Sequence, residues 1–222
     1  MSIDTPLNAL AAQGVRFKVL AQVFPVLRHE VVGPLSNATL AAAMLRQTPD
    51  GADADALQQR CQRLAGDLTG MLEDSVTIVR ELDQWLLDSD ATISTEALLR
   101  ECRKLMFSHL LLSRHNITWP EAVADIQVPQ FTSRYLLLAW LLSLLSVLPP
   151  DATLTLDCSQ PDAWHVHFPE SLASAVTPEA PAFAPEEVEL LAAVSGWRLE
   201  RQAQCWSLYL PVAAPEQSTS AP

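Results

Sequence analysis

The chain has 222 residues, 49% of them hydrophobic and 18% charged, with a net charge of −12 at neutral pH. That length permits one large domain or two small ones, each with a real core, and the balance is that of a globular chain. The acidic excess, with no lysine- or arginine-rich run, argues against a nucleic-acid backbone or an anionic membrane as partner.

The four cysteines, Cys61, Cys102, Cys158 and Cys205, are scattered, with no CxxC pair and no histidines beside them. This excludes a zinc finger or disulfide framework and suits a reducing, cytoplasmic setting. MSIDTPLNALAAQG lacks the basic start and apolar core of a signal peptide. The longest apolar run, Leu136–Leu148, is shorter than the ~20 residues a membrane span needs and reads as a buried helix.

In chain order, residues 7–47 carry a long helical pattern: Val15, Leu20, Phe24, Leu27, Val31, Leu35, then Ala38 to Leu45. Pro25 and Pro34 each remove a backbone donor, so a kink is expected at each without termination. TPDGAD at 48–53 is turn chemistry. A second helix is expected over 54–87, heptad-like through Leu57, Cys61, Leu64, Leu68 and Met71, then slipping phase to Leu72, Val76, Val79, Leu82 and Leu86. Two long helices joined by a short turn form a hairpin. Two such hairpins would cover their apolar faces as a dimeric four-helix bundle.

After Asp90 the composition changes. Ser94 can cap a helix running through ALLRECRKLMFSHLLL. NITWPEA is strand-like, Phe131–Leu148 helical, and 152–158 and 163–168 alternate as a hairpin around SQPD. Residues 169–185 read as a loop, Glu186–Ser195 as a helix, WRLERQ and CWSLYLPV as strands, and 214–222 as a frayed tail. The expected organisation is a helical hairpin over 1–90 and an α+β sandwich over 91–213, with helices on one face of a mostly antiparallel sheet.

His29-Glu30-Val31-Val32-Gly33-Pro34-Leu35 resembles the H box, His-Glu/Asp-x-x-x-Pro-Leu, of bacterial sensor histidine kinases. The order of the later segments is similar to that family's ATP-binding domain: STEALLRECRKLMFSHLLLSRHNI to its first helix and strand, RYLLLAWLLSLLSVL to its N-box helix, and GWRLERQAQCWSLYLPV to its closing strands. The resemblance implies a phosphoacceptor role for His29 on the first helix of a dimeric hairpin.

Two departures follow. The N-box asparagines that hold Mg²⁺ align with Ser143 and Val147, and neither replaces an asparagine amide. The Asp-x-Gly-x-Gly turn is missing, and no glycine lies between Gly70 and Gly196, whereas a phosphate-cradling loop needs backbone free of side chains. A kept H box with a degenerate nucleotide site resembles the ChpT-type histidine phosphotransferases. These carry phosphoryl groups between receiver-domain aspartates. The implied protein is a cytoplasmic homodimer with no cofactor of its own. Mg²⁺ is expected on the partner receiver and ATP binding is lost. Its partners would be response-regulator receivers or a hybrid histidine kinase, with neither nucleic acid nor membrane. The alternative is a pseudo-kinase that binds and regulates a response regulator or kinase without transfer.

The chemistry at His29 fits a carrier. Imidazole is a neutral nucleophile near pH 7, one nitrogen attacking while the other keeps its proton, and Glu30 is expected to hold that N–H. Pro34 offers no N–H to the carbonyl four residues back, and Gly33 adds backbone freedom, so the helix can bend at the phosphoacceptor. By resemblance the receiver docks on Gly33, Ser36, Asn37, Leu40 and Ala41 of the first helix, with Leu68, Leu72 and Ser75 of the second. Gly33 stands where phosphatase-active kinases usually have Thr or Asn, so phosphatase activity is not expected. His109, His115, His165 and His167 are read as structural, and the six tryptophans as core or interface anchors.

Overall fold

The structure, a computed structural model, describes residues 4–47, 53–149, 151–167, 183–202 and 205–211. The expected turn at 48–53, most of the loop at 169–185 and the tail at 214–222 lie largely or wholly outside them. The chain divides into two compact units, one of residues 21–89, the other of residues 90–222 together with the first 20.

The smaller unit is built from the two long helices. Helix α1 spans Asp4–Leu45 and continues through both Pro25 and Pro34. Helix α2 spans Ala54–Leu82 and passes into a 3-10 turn, Asp83–Trp85, that places Trp85 in the interior. This tighter turn is why the helix stops short of residue 87. Near the connection, the Arg60 guanidinium donates to the Met44 carbonyl at 3.4 Å, tying the start of α2 to the end of α1.

The phase slip expected in α2 has a physical basis. Two apolar stripes run side by side on this helix. Leu64, Met71, Ser75, Ile78 and Leu82 are buried or half-buried. Leu72, Val76 and Val79 lie one residue out of phase and stay 45–50% exposed. On α1, Val23, Leu27, Ala38 and Ala41 are buried, while Phe24, Val32 and Leu35 are exposed. Each helix therefore has an apolar face that its own unit leaves open.

The larger unit is α+β. Strand β1 (Thr92–Ser94) leads into α3 (Thr95–Ser113), capped as expected: the Ala97 N–H donates to the Ser94 hydroxyl at 3.2 Å. Strands β2 (Asn116–Thr118) and β3 (Gln127–Pro129) precede α4 (Gln130–Ser146). Then follow β4 (Thr153–Gln160), β5 (Ala163–His167), α5 (Pro185–Val194), β6 (Arg198–Gln202) and β7 (Cys205–Tyr209). The five-stranded sheet has the order β2-β4-β5-β7-β6, with β2 parallel to β4 and the other pairs antiparallel. A second, two-stranded sheet pairs β1 with β3, Ile93 opposite Val128. Three-residue strands leave too short an alternation to stand out in a sequence, and this pair was not foreseen.

Helix α4 is apolar all round and almost wholly buried, packing against both α3 and α5. Its one charged side chain, Arg134, is buried and pairs with Glu101 of α3 at 2.7 Å. Trp164 and Trp197 meet edge-to-face at 5.5 Å, and the Trp197 N–H donates to the Ser133 hydroxyl at 3.2 Å.

The domain boundary differs from the sequence expectation. The first five turns of α1 belong with the α+β unit and not with the hairpin. Ala12, Val15 and Val19 are buried. The Arg16 guanidinium lies 5.0 Å from the Phe131 ring, and the Lys18 ammonium lies 4.9 Å from the Phe183 ring while pairing with Glu187 at 2.8 Å. By length and composition alone, Leu7–Leu45 would pass as a membrane span. Two of its three basic residues, Arg16 and Lys18, are instead engaged by aromatic rings and a carboxylate of this unit.

Candidate functional site

Helix α1 presents His29 to solvent, turned away from the buried face formed by Val23, Leu27, Ala38 and Ala41. Steps of four, three and four residues place Gly33, Ser36 and Leu40 on the same stripe as His29. Ser36 and Leu40 are exposed and Gly33 is half-buried. A Cβ added at Gly33 would meet nothing within 4 Å, so the glycine leaves open space beside the imidazole. Asn37 is exposed on the flank of this stripe.

Two of the expected site residues need correction. Ala41 is only 6% exposed and Ser75 only 4%. Both face the interior of their unit, and the Ser75 hydroxyl donates to the Met71 carbonyl at 2.7 Å. Neither offers a side chain to a docking protein. Both lie on the buried stripes, which resemblance to a motif could not separate from the open ones. Among the described residues no hydrogen bond joins Glu30 to His29. Successive helical positions point about 100° apart, so a neighbour in sequence is not a partner in space. Glu30 is half-buried while His29 is exposed. On α2, Leu72 is exposed and Leu68 half-buried.

In the α+β unit, the position aligned with the first N-box asparagine is occupied in a specific way. The Ser143 side chain is buried, and its hydroxyl donates to the backbone carbonyl of Phe183 at 3.1 Å. The Phe183 ring is fully buried and carries Lys18 against its face. Val147, aligned with the second asparagine, is the residue that caps the C-terminal end of α4. These groups use their polar atoms on the chain itself.

Several other candidate nucleophiles are held in unreactive settings by burial. Burial, with the Glu101 carboxylate beside it, holds the Cys102 thiol well above its usual range. Burial, with Asp157 adding to it, pushes Cys158 up to about 12. Thiolate is the reactive form, and both sites disfavour it. Tyr135 is likewise pushed up to about 12 by burial. His165 shares a hydrogen bond of 2.8 Å between its Nδ1 and the Ser207 hydroxyl on the neighbouring strand. Among the described residues, no three His, Cys, Asp or Glu side chains gather as a metal site.

No protein-family model matches the sequence, and no curated protein matches it significantly. Among solved structures, the chain overlaps the cytoplasmic segment of the histidine kinase QseC with a TM-score of 0.41 at 15% identity, over 59% of this chain and 90% of that one. It overlaps the Acinetobacter baumannii histidine kinase AdeS with a TM-score of 0.41 at 11% identity, over 84% and 98%. It also overlaps the histidine kinase ThkA, solved with the response regulator protein TrrA, with a TM-score of 0.40 at 14% identity, over 96% and 68%. Overlaps this weak leave function to be argued from the residues of the site itself.

Proposed function

We propose that this protein is a histidine phosphotransferase of a two-component phosphorelay, with His29 as the phosphoryl carrier. The observation that supports it most is the placement of His29: exposed, beside an open glycine, at the head of a small and apolar stripe formed by Gly33, Ser36 and Leu40. Such a stripe can seat a receiver domain while the imidazole reaches its active aspartate.

In the proposed step, an imidazole nitrogen lone pair attacks the phosphorus of an aspartyl phosphate. The N–P bond forms as the acyl P–O bond breaks, and the carboxylate of the receiver leaves. The second ring nitrogen keeps its proton. Transfer to a second receiver reverses the same events. Positioning and charge neutralisation dominate such reactions, and the receiver's own Mg²⁺ supplies much of the latter. Glu30 would assist by hydrogen-bonding the retained N–H once docking has turned the two side chains together. The docking surface of this reading is Gly33, Ser36, Asn37 and Leu40 with Leu68 and Leu72.

The same reading makes the protein a cytoplasmic homodimer. Val76 and Val79 on α2, with Phe24 and Leu35 on α1, are the apolar side chains a second hairpin would cover. The internal hydrogen bond of Ser143, the burial of Phe183 and the missing glycine turn support a chain that carries phosphate without loading itself from ATP.

A second reading, a regulator that binds receivers without transfer, draws on the lack of a His29–Glu30 hydrogen bond. Incubation with a phosphorylated receiver separates the two. Label moving to the wild type but not to His29→Ala supports the relay; tight binding with no transfer supports the regulator.

A further inference from the structure

From Val19 to Leu45, α1 carries two charged side chains, Arg28 and Glu30, and they flank His29. The helix turns them about 100° to either side of the imidazole, so they serve different surroundings. Glu30 is half-buried and has an interaction of its own. Arg28 is exposed, and among the described residues its guanidinium makes no hydrogen bond, ion pair or ring contact. Four residues on, Val32 stands 50% exposed on the same stripe, an apolar surface along which the arginine stem can lie. The docking surface proposed above lies on the other side of His29, and nothing in the proposed step uses Arg28 or Val32.

We infer that Arg28 is a specificity-determining residue of the phosphotransfer face, pairing with a carboxylate that the partner presents beside its phosphorylated aspartate; the inference rests on the reading of His29 as carrier. The chemistry selects the partner. A Mg²⁺-dependent acyl phosphate sits among carboxylates, because Mg²⁺ takes hard oxygen ligands. A domain that lowers such a site onto His29 brings anionic groups toward a chain of net charge −12, which repels them in general. A guanidinium next to the phosphoacceptor reverses that sign locally, where the two surfaces meet. With no internal partner among the described residues, it keeps its donors for the incoming acid. Adjacent helical positions do not face each other, so Arg28 is placed for the rim of the partner and not for the phosphoryl group on His29 itself. Val32 adds apolar contact at the same edge.

The test uses the full-length protein and a panel of isolated receiver domains charged with acetyl phosphate in Mg²⁺. The receiver that labels wild-type His29 fastest is carried forward. Arg28→Glu should lower kcat/KM for transfer by roughly tenfold at low salt, mostly through KM, while Arg28→Lys keeps most of the wild-type rate. The gap should close as salt screens the pair. Exchanging one acid beside the receiver's aspartate for lysine should restore transfer to Arg28→Glu and impair it with the wild type. The position is exposed, so circular dichroism should show unchanged folding. Phosphorylated His29, freed of receiver, should have the same half-life in both proteins. The inference is overturned if Arg28→Glu transfers at the wild-type rate, if salt leaves its deficit unchanged, or if no exchange on the receiver restores it. It is equally overturned if Arg28→Glu shortens the phosphohistidine half-life enough to account for the loss, since the arginine would then serve the phosphoryl group. Those outcomes leave the carrier reading standing, whereas a wild type that no receiver labels sinks that reading and this inference with it.

Discussion

Lys18 and Glu187 lie 169 positions apart, yet the ammonium donates to both carboxylate oxygens, at 3.0 and 2.8 Å. The pair fixes the start of α1 to the start of α5. Glu187 also accepts the Ala184 N–H at 2.8 Å, closing the first turn of α5. The two partners should therefore not be equivalent. With both side chains partly exposed, Lys18→Met should cost about 0.5–1 kcal/mol. Glu187→Ala, which removes the helix-start contact as well, should cost about 1–2 kcal/mol. Denaturant unfolding checks the order, and equal losses would assign the helix-start contact no weight.

The Arg134–Glu101 pair is of another kind. Arg134 is nearly sealed inside, and its partner is only a quarter exposed. Glu101→Ala takes a carboxylate away from a buried guanidinium and should destabilise by about 3 kcal/mol. Replacing both, as Arg134→Met with Glu101→Leu, should recover most of that loss. Thermal melts of the two single variants and the double variant measure the coupling.

The fold was largely legible in the sequence. Ser94 marked the start of α3, the Leu136–Leu148 run marked the buried helix α4, and the alternation at 152–168 marked the hairpin. What local sequence leaves open depends on packing. Helical periodicity does not say which of two adjacent stripes is covered. Met71 and Leu72 differ by one position, and one faces in while the other faces out. The same ambiguity placed Ala41 and Ser75 on a docking surface they do not reach. The attachment of residues 12–19 to the α+β unit rests on Phe131, Phe183 and Glu187, more than a hundred residues away, and no local pattern announces it. For the site, the motif names His29 and Glu30, but it does not say that one is exposed and the other half-buried.

The open stripe on α2 yields a prediction about assembly. Val76→Asp combined with Val79→Asp should convert a homodimer to a monomer in sedimentation, with helical content kept. Both side chains are about half exposed in the single chain, so the fold does not need them. A wild type that already sediments as a monomer would contradict the bundle.

His109 gives stability a pH dependence. Burial first, and the nearby His115 second, lower its pKa from 6.5. The folded state thus binds this proton less readily than the unfolded state. Its contribution is fully present above pH 6.5 and is lost as pH falls from there toward the lowered value. The unfolding midpoint should drop between pH 7.5 and 5.5, and His109→Gln should flatten that slope. A slope unchanged in the variant would assign the effect to other groups.

The most direct test of the phosphoryl-carrier role is to locate the phosphate. The protein is mixed with a phosphorylated receiver, quenched in alkali to preserve phosphoramidates, digested and read by tandem mass spectrometry. The account predicts phosphate on His29, absent from His29→Ala and reduced in Glu30→Gln. Phosphate on any other residue, or receiver label that passes unchanged through the His29→Ala protein to a second receiver, would contradict it.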